Sequence, residues 1–219
     1  MVPGLDESAQ AVLQDALHAT LEQRQATAFL KRVKKSGLNA CRSFDVYEFG
    51  HFDWPARLNS DGFSRLDFVR RNENVIMFGP PGTGKSHLAN AAGLEACKQR
   101  MNVLFENTSS FVGRLTEAYQ MRRHNDLLAR LNRLDLLILD EFGYVPIDPI
   151  GAQLLFRVIG DFYENHSMII TTNLGFTEWR QIFIDPKLTE AVVDRMIHHS
   201  HLIQFTGESY RVRHSLLIN

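Results

Sequence analysis

Gly79-Pro80-Pro81-Gly82-Thr83-Gly84-Lys85-Ser86 fits the spacing G-x-x-x-x-G-K-[ST]. Glycines at that spacing let backbone N–H groups turn inward on phosphate oxygens, and a helix N-terminus behind them adds partial positive charge. Lys85 can reach β and γ phosphates, the Ser86 hydroxyl can hold Mg²⁺, and the binding stretch runs on through His87. A glycine-rich turn that happens to carry a lysine is the plain alternative. It leaves unexplained the four apolar residues 75–78 just before the loop and the helix-permissive sequence just after it. Strand, glycine loop and helix in that order make a nucleoside triphosphate site.

Leu136-Leu137-Ile138-Leu139-Asp140-Glu141 supplies the second half of such a machine. A carboxylate ending a buried strand beside the loop strand can hold Mg²⁺ through water, which assigns Asp140 to the metal. Successive strand residues point differently, so Glu141 can face the γ-phosphate and polarise water as a general base. Two acidic residues ending a strand in solvent would look the same in isolation. Asn173, after Ile169-Ile170-Thr171-Thr172, could orient the attacking water or touch the γ-phosphate. An Asn at a strand end is also an ordinary turn residue.

Other groups invite weaker readings. Residues 109–133 carry Arg114, Arg122, Arg123, Arg130 and Arg133 against Glu117 and Asp126, so the segment is basic in a chain whose net charge is -1. Guanidiniums there would neutralise backbone phosphates of a nucleic acid, with Arg122-Arg123 able to grip two, or would form an exposed helical face. Lys31, Arg32, Lys34 and Lys35 complement a helix end or touch phosphate. His198-His199-Ser200-His201 lacks cysteine or carboxylate at ligand spacing and reads as a dipole-complementing helix end rather than a metal site. Cys41 and Cys97 match no metal or redox spacing and suit a reducing cytosol.

The elements that must position these residues follow from pattern. At 219 residues and 44% hydrophobic, the chain can bury one α/β core with a small appendage. No apolar run approaches the ~20 residues of a membrane span, so a cytoplasmic protein is expected. Residues 6–35 predict a helix with Leu13, Leu17, Leu21, Phe29 and Val33 along one face. The aromatic-rich stretch 39–58 reads as a linker across the main domain, walling a base or simply packing. Strands are expected at 75–78, 102–106, 134–139, 167–171 and 202–205, with helices at 61–71, 87–99, 111–133, 149–165, 177–183 and 187–199. Alternation of this kind predicts a five-stranded parallel sheet covered on both faces. The chain divides into a helical segment (1–38), a linker (39–73) and a core (74–219).

GPPGTGKS, LLILDE and TTN in this order resemble the AAA+ ATPases, where they are Walker A, Walker B and sensor 1. LILDEFGYVPID and DRMIHHSHLIQFTGESYR are similar to the IstB group of transposition helper ATPases, close to the DnaC-type helicase loaders. The resemblance covers residues 44–213. It implies an AAA+ P-loop fold, ATP and Mg²⁺ as ligands, and ATP hydrolysis. It implies also a homo-oligomeric ring or spiral, in which Arg195 matches an arginine finger reaching a neighbour's ATP. A salt bridge to Asp194 or Glu190 is the local alternative for Arg195. The arginines of 109–133 correspond to a helix that initiators and loaders turn toward nucleic acid. The implied function is assembly on duplex DNA and recruitment or activation of a transposase. Handing a helicase to single-stranded DNA, a non-hydrolysing nucleotide-gated scaffold, and a small-molecule kinase are the alternatives. With a short tail after Phe205, no C-terminal helical lid is expected, and Arg211 and Arg213 have no assigned role.

Overall fold

A computed structural model describes residues 7–49, 52–183 and 186–210. Helix α1 (Glu7–Ser36) runs 30 residues, as a stretch rich in Ala, Leu, Gln and Glu should. Only its C-terminal part packs: Val33 is buried and Phe29 partly so, while Leu13, Leu17 and Leu21 remain 42–55% exposed. The predicted apolar face is therefore covered only at one end among the described residues.

The linker does more than lie across the core. After a 3₁₀ turn (Phe44–Val46), strand β1 (Phe52–Asp53) pairs antiparallel with the last strand, Phe52 opposite Phe205. That adds an edge strand to the five expected, so the sheet has six strands rather than five. The sequence signal is weak because a two-residue strand has no periodicity to read. Two short helices follow, α2 (Ser60–Ser64) and α3 (Asp67–Arg70), where one was expected. Leu66, in the left-handed region at φ 62°, breaks them apart.

The core alternates as predicted. Strand β2 (Asn74–Phe78) leads into α4 (Lys85–Lys98), and β3 (Val103–Asn107) into α5 (Thr108–Gln120) and α6 (His124–Leu131). Then come β4 (Leu136–Phe142), α7 (Pro149–Phe162), β5 (Ser167–Thr172), a 3₁₀ helix (Phe176–Gln181), α8 (Pro186–His198) and β6 (Ser200–Phe205). The order across the sheet is β1-β6-β2-β5-β4-β3, with every pair parallel except β1 and β6.

Strand residues alternate between two apolar layers. Ile76, Leu137 and Leu139 face α5, α7 and α8; Val75, Met77, Leu136 and Ile138 face α1, α4 and the linker. Each fully buried Leu or Ile contributes about 1.5–3 kcal/mol relative to exposure, so register errors of one residue are strongly disfavoured. Register places Phe78 opposite Thr172 and Asn107 opposite Asp140. The residues that end β2, β3, β4 and β5 thus meet at one rim, where ligands of open parallel sheets bind.

Candidate nucleotide site

At that rim lies a cavity of about 340 Å³, lined by loop residues 81–87, Glu141, Thr171, Thr172 and Asn173. Linker residues Arg42, Val46, Tyr47 and Glu48 complete its wall, with Tyr144 and Tyr210. The linker therefore lines the cavity with residues 42 and 46–48, while Phe44, Tyr47, Phe52 and Trp54 also pack into the core layer. Of the sequence-predicted loop residues, Pro81, Gly82, Thr83, Gly84, Lys85, Ser86 and His87 line the cavity, whereas Gly79 and Pro80 do not. Lys85, only 6% exposed, bonds the carbonyls of Gly79 and Pro80, both at 2.6 Å. The loop thus carries its own cation across the place where phosphate charge would sit.

Gly84 precedes α4 at φ +97°, and a Cβ there would lie 3.1 Å from the Tyr47 hydroxyl. Conformation calls for glycine here, and the Tyr47 hydroxyl leaves little room for a larger residue. Helix α4 then opens on the cavity with its N-terminus, a ready anion site. Tyr47 packs edge-on against His87, centroids 5.1 Å apart, and His87 Nε2 lies 3.3 Å from the Ser43 carbonyl. Burial lowers the His87 pKa, helped by the Arg42 charge and opposed by that carbonyl, so the ring is neutral near pH 7. Burial alone raises Tyr47, keeping its phenol protonated. Two neutral rings beside a phosphate loop make an apolar, hydrogen-bonding wall.

Ser86 Oγ donates to Asp140 Oδ1 at 2.7 Å, joining the two motifs 54 residues apart in sequence. A hydroxyl and a carboxylate oxygen side by side suit Mg²⁺, which takes few protein ligands and completes its shell from phosphate and water. Among the described residues no three His, Cys, Asp or Glu side chains gather to hold a metal. Glu141 sits at φ +57°, an unusual conformation for a non-glycine residue. Its carboxylate accepts a hydrogen bond from Asn107 Nδ2.

Asn107, first of the capping-type residues Asn107-Thr108-Ser109-Ser110 that precede a helix, has a double task. Its Oδ1 caps α5 through Ser109 N at 3.0 Å, as expected of an N-cap, while its amide holds Glu141. The missing signal is the register that sets Asn107 beside Asp140. The sequence places Thr171 in the TTN string but assigns a role there only to Asn173, and it assigns none to the Thr108 hydroxyl. Thr171 Oγ1 touches both Asp140 and the Glu141 amide, and Thr108 Oγ1 bonds the Asp140 carbonyl at 2.8 Å. Tyr210 belongs to the Gly-Glu-Ser-Tyr-Arg string, to which the sequence assigns no role. Its amide bonds the Gly82 carbonyl at 2.9 Å, drawing residues 207–210 over the phosphate loop.

The other predicted residues lie away from this cavity. Arg195 of α8 stacks over the Phe156 ring, 4.7 Å from its centroid, on the layer built with α7. Arg114 is drawn into an ion pair with Glu106 and lies over Phe111, so it is less available to a phosphate than the sequence suggests. Arg122 and Arg123 are exposed in the turn between α5 and α6, and Arg130 is exposed on α6. The histidines separate: His198 meets Tyr163 at 2.9 Å, His199 meets Glu164 at 3.4 Å, and His201 meets Glu73 at 2.7 Å. Arg211 and Arg213 lie outside the described residues.

Among the described residues no helix is long and apolar enough to cross a membrane. The family described as IstB-like ATP binding protein matches residues 5–217. A protein of insertion sequence IS232 from Bacillus thuringiensis subsp. berliner is 40% identical over 172 residues, covering 77% of this chain and 68% of its own length. One of insertion sequence IS21 from Pseudomonas aeruginosa is 36% identical over 198 residues, covering 90% and 75%. Both are named for ATP binding. Among solved structures, the DnaC helicase loader superposes with TM-score 0.61 at 22% identity, over 76% of this chain and 98% of that one. The replication initiator DnaA, bound to AMPPCP and single-stranded DNA, superposes with TM-score 0.64 at 19% identity, over 78% of this chain and about half (51%) of that one. These two likenesses establish the AAA+ P-loop fold, and with the family match over nearly its whole length, the chain belongs to the IstB-like ATP-binding proteins.

Proposed function

We propose that this protein is a Mg²⁺-dependent ATPase that assembles with itself on duplex DNA and recruits or activates a transposase. One observation carries the hydrolytic part: Lys85, Ser86, Glu141 and Asn173 line a single cavity at the sheet rim, and Asp140 bonds Ser86 there. The insertion-sequence relatives support the transposition part.

The base lies against the Tyr47–His87 wall, and the phosphates take the loop, displacing Lys85 from its two carbonyls onto phosphate oxygens. Ser86 and Asp140 would hold Mg²⁺, which would supply positive charge to the β and γ phosphates. Glu141 turns from Asn107 to polarise the attacking water, with Asn173 orienting it. A neighbouring copy supplies Arg195, since in its own subunit that guanidinium stacks on Phe156 away from the cavity. Its positive charge offsets the charge developing on the transferred phosphoryl group. Exposed Arg122, Arg123 and Arg130 meet DNA phosphates without reading sequence, with Arg114 contributing once freed from Glu106.

Phosphate release from MgATP, measured over a range of protein concentrations with and without duplex DNA, tests the reading. Turnover per subunit should rise with concentration, and Glu141→Gln should abolish turnover while leaving ATP bound. Unchanged turnover in Glu141→Gln would remove Glu141 as the base, and wild-type protein that binds ATP and DNA but releases no phosphate would be a nucleotide-gated scaffold. The DnaC likeness keeps a helicase-loading role as the second reading, and preference for single-stranded over duplex DNA would select it.

A further inference from the structure

Strand β4 breaks register with β5 at its functional end. Leu139 pairs with Ile170 and Phe142 with Thr172, so Asp140 and Glu141 together stand opposite the single residue Thr171. Such a bulge re-aims side chains, and it leaves backbone groups in need of partners. Here it turns Glu141 to φ +57°, a conformation that persists only where the surroundings hold it. Thr171 does the holding. Its side-chain oxygen, on a residue 2% exposed, accepts the Glu141 amide at 3.0 Å and donates its one proton to Asp140 Oδ1. A hydroxyl carries one donor and two acceptor sites, so a single atom serves both carboxylate residues. Asp140 Oδ1 is the oxygen that also receives Ser86, and the bond from Thr171 fixes which oxygen of Asp140 faces the loop.

We propose that Thr171 is a positioning residue that locks Asp140 and Glu141 into one hydrolytic geometry, acting through the bulge rather than on the nucleotide. This rests on the roles given above to those two carboxylates. Thr171→Val keeps the shape and removes the hydroxyl; Thr171→Ser keeps the hydroxyl. In nucleotide-free protein, amide hydrogen exchange at Glu141 should accelerate about tenfold or more in the valine variant, with residues 136–138 unchanged, because the N–H loses its acceptor. ATP affinity in EDTA should stay within about threefold, while kcat falls about 10–100-fold, as for other groups that orient a metal ligand. The serine variant should return both readings close to wild type. Wild-type exchange at Glu141 in the valine variant, a uniform rise along β4, or unchanged kcat despite fast exchange would each overturn the proposal. If wild-type protein itself released no phosphate, the hydrolytic reading would fall, and the exchange comparison would still decide whether Thr171 holds the bulge.

Discussion

Replacing Gly82 by Ala should destabilise the nucleotide-bound protein by about 2–3 kcal/mol, in two parts that a second substitution separates. Gly82 sits at φ +80°, where a residue with a Cβ is disfavoured by about 1–2 kcal/mol. The same Cβ would collide with Ser209 Oγ and stand 3.1 Å from Ser209 Cβ, so Ser209 and the adjoining Tyr210 are expected to shift off the loop. With them goes the bond from Tyr210 N to Gly82 O, worth about 1 kcal/mol. If the loop keeps its turn, the cost falls on stability; if it relaxes, the cost falls on nucleotide affinity. Unfolding by denaturant at saturating non-hydrolysable ATP analogue contains both. Ser209→Gly removes the obstacle but not the backbone strain. It should therefore recover about 1 kcal/mol in the Gly82→Ala background, a coupling well above the few tenths expected of independent sites. Additive effects of the two substitutions would refute the contact between this segment and the phosphate loop.

Glu73 joins the strand ends opposite the nucleotide site, accepting from Arg71 at 2.8 Å and His201 at 2.7 Å. Burial pushes its pKa up, but the bonds from Arg71 and His201 outweigh burial and hold it below the ordinary glutamate value. Its stabilisation is accordingly present above about pH 4.3 and lost as pH falls through the lower folded value. Glu73→Gln should cost about 1–2 kcal/mol at neutral pH, with the gap closing in acid melts; a pH-independent gap would remove the electrostatic account. Arg122→Ala/Arg123→Ala should weaken duplex binding for all sequences alike and lower the slope of log affinity against log salt by about 2, one unit for each phosphate left without its arginine. An unchanged slope would place these arginines off the DNA.

Motifs with fixed spacing and strong period are legible in the sequence; geometry made by pairing is not. GPPGTGKS identifies its loop because its chemistry is local, and residues 134–139 announce a buried strand because both faces of that strand are covered. Boundaries differ by one to three residues: α5 begins at Thr108 rather than 111, α7 ends at Phe162 rather than 165, and β4 extends to Phe142, carried on by its pairing with Thr172. Strand β1 escapes notice because two residues held by one neighbour leave no pattern. Asn107 and Thr171 act through strand register, which a linear reading does not contain. Tyr47 and Tyr210 approach the loop from distant parts of the chain, so only the fold reveals that they share its cavity. Arg114 looks free in the sequence because Glu106, its partner, lies on the preceding strand, outside the basic segment whose charges are compared.

Complementation between two inactive variants tests the central claim, that ATP is cleaved where two copies meet. Lys85→Ala should lose ATP binding yet still present Arg195, and Arg195→Ala should bind ATP yet fail to complete a neighbour's site. Mixed in equal amounts, they should recover about a quarter of the wild-type sites, since a head-to-tail contact pairs each working loop with an intact arginine at that frequency. Mixtures no more active than the separate variants, together with wild-type turnover in Arg195→Ala alone, would contradict the account.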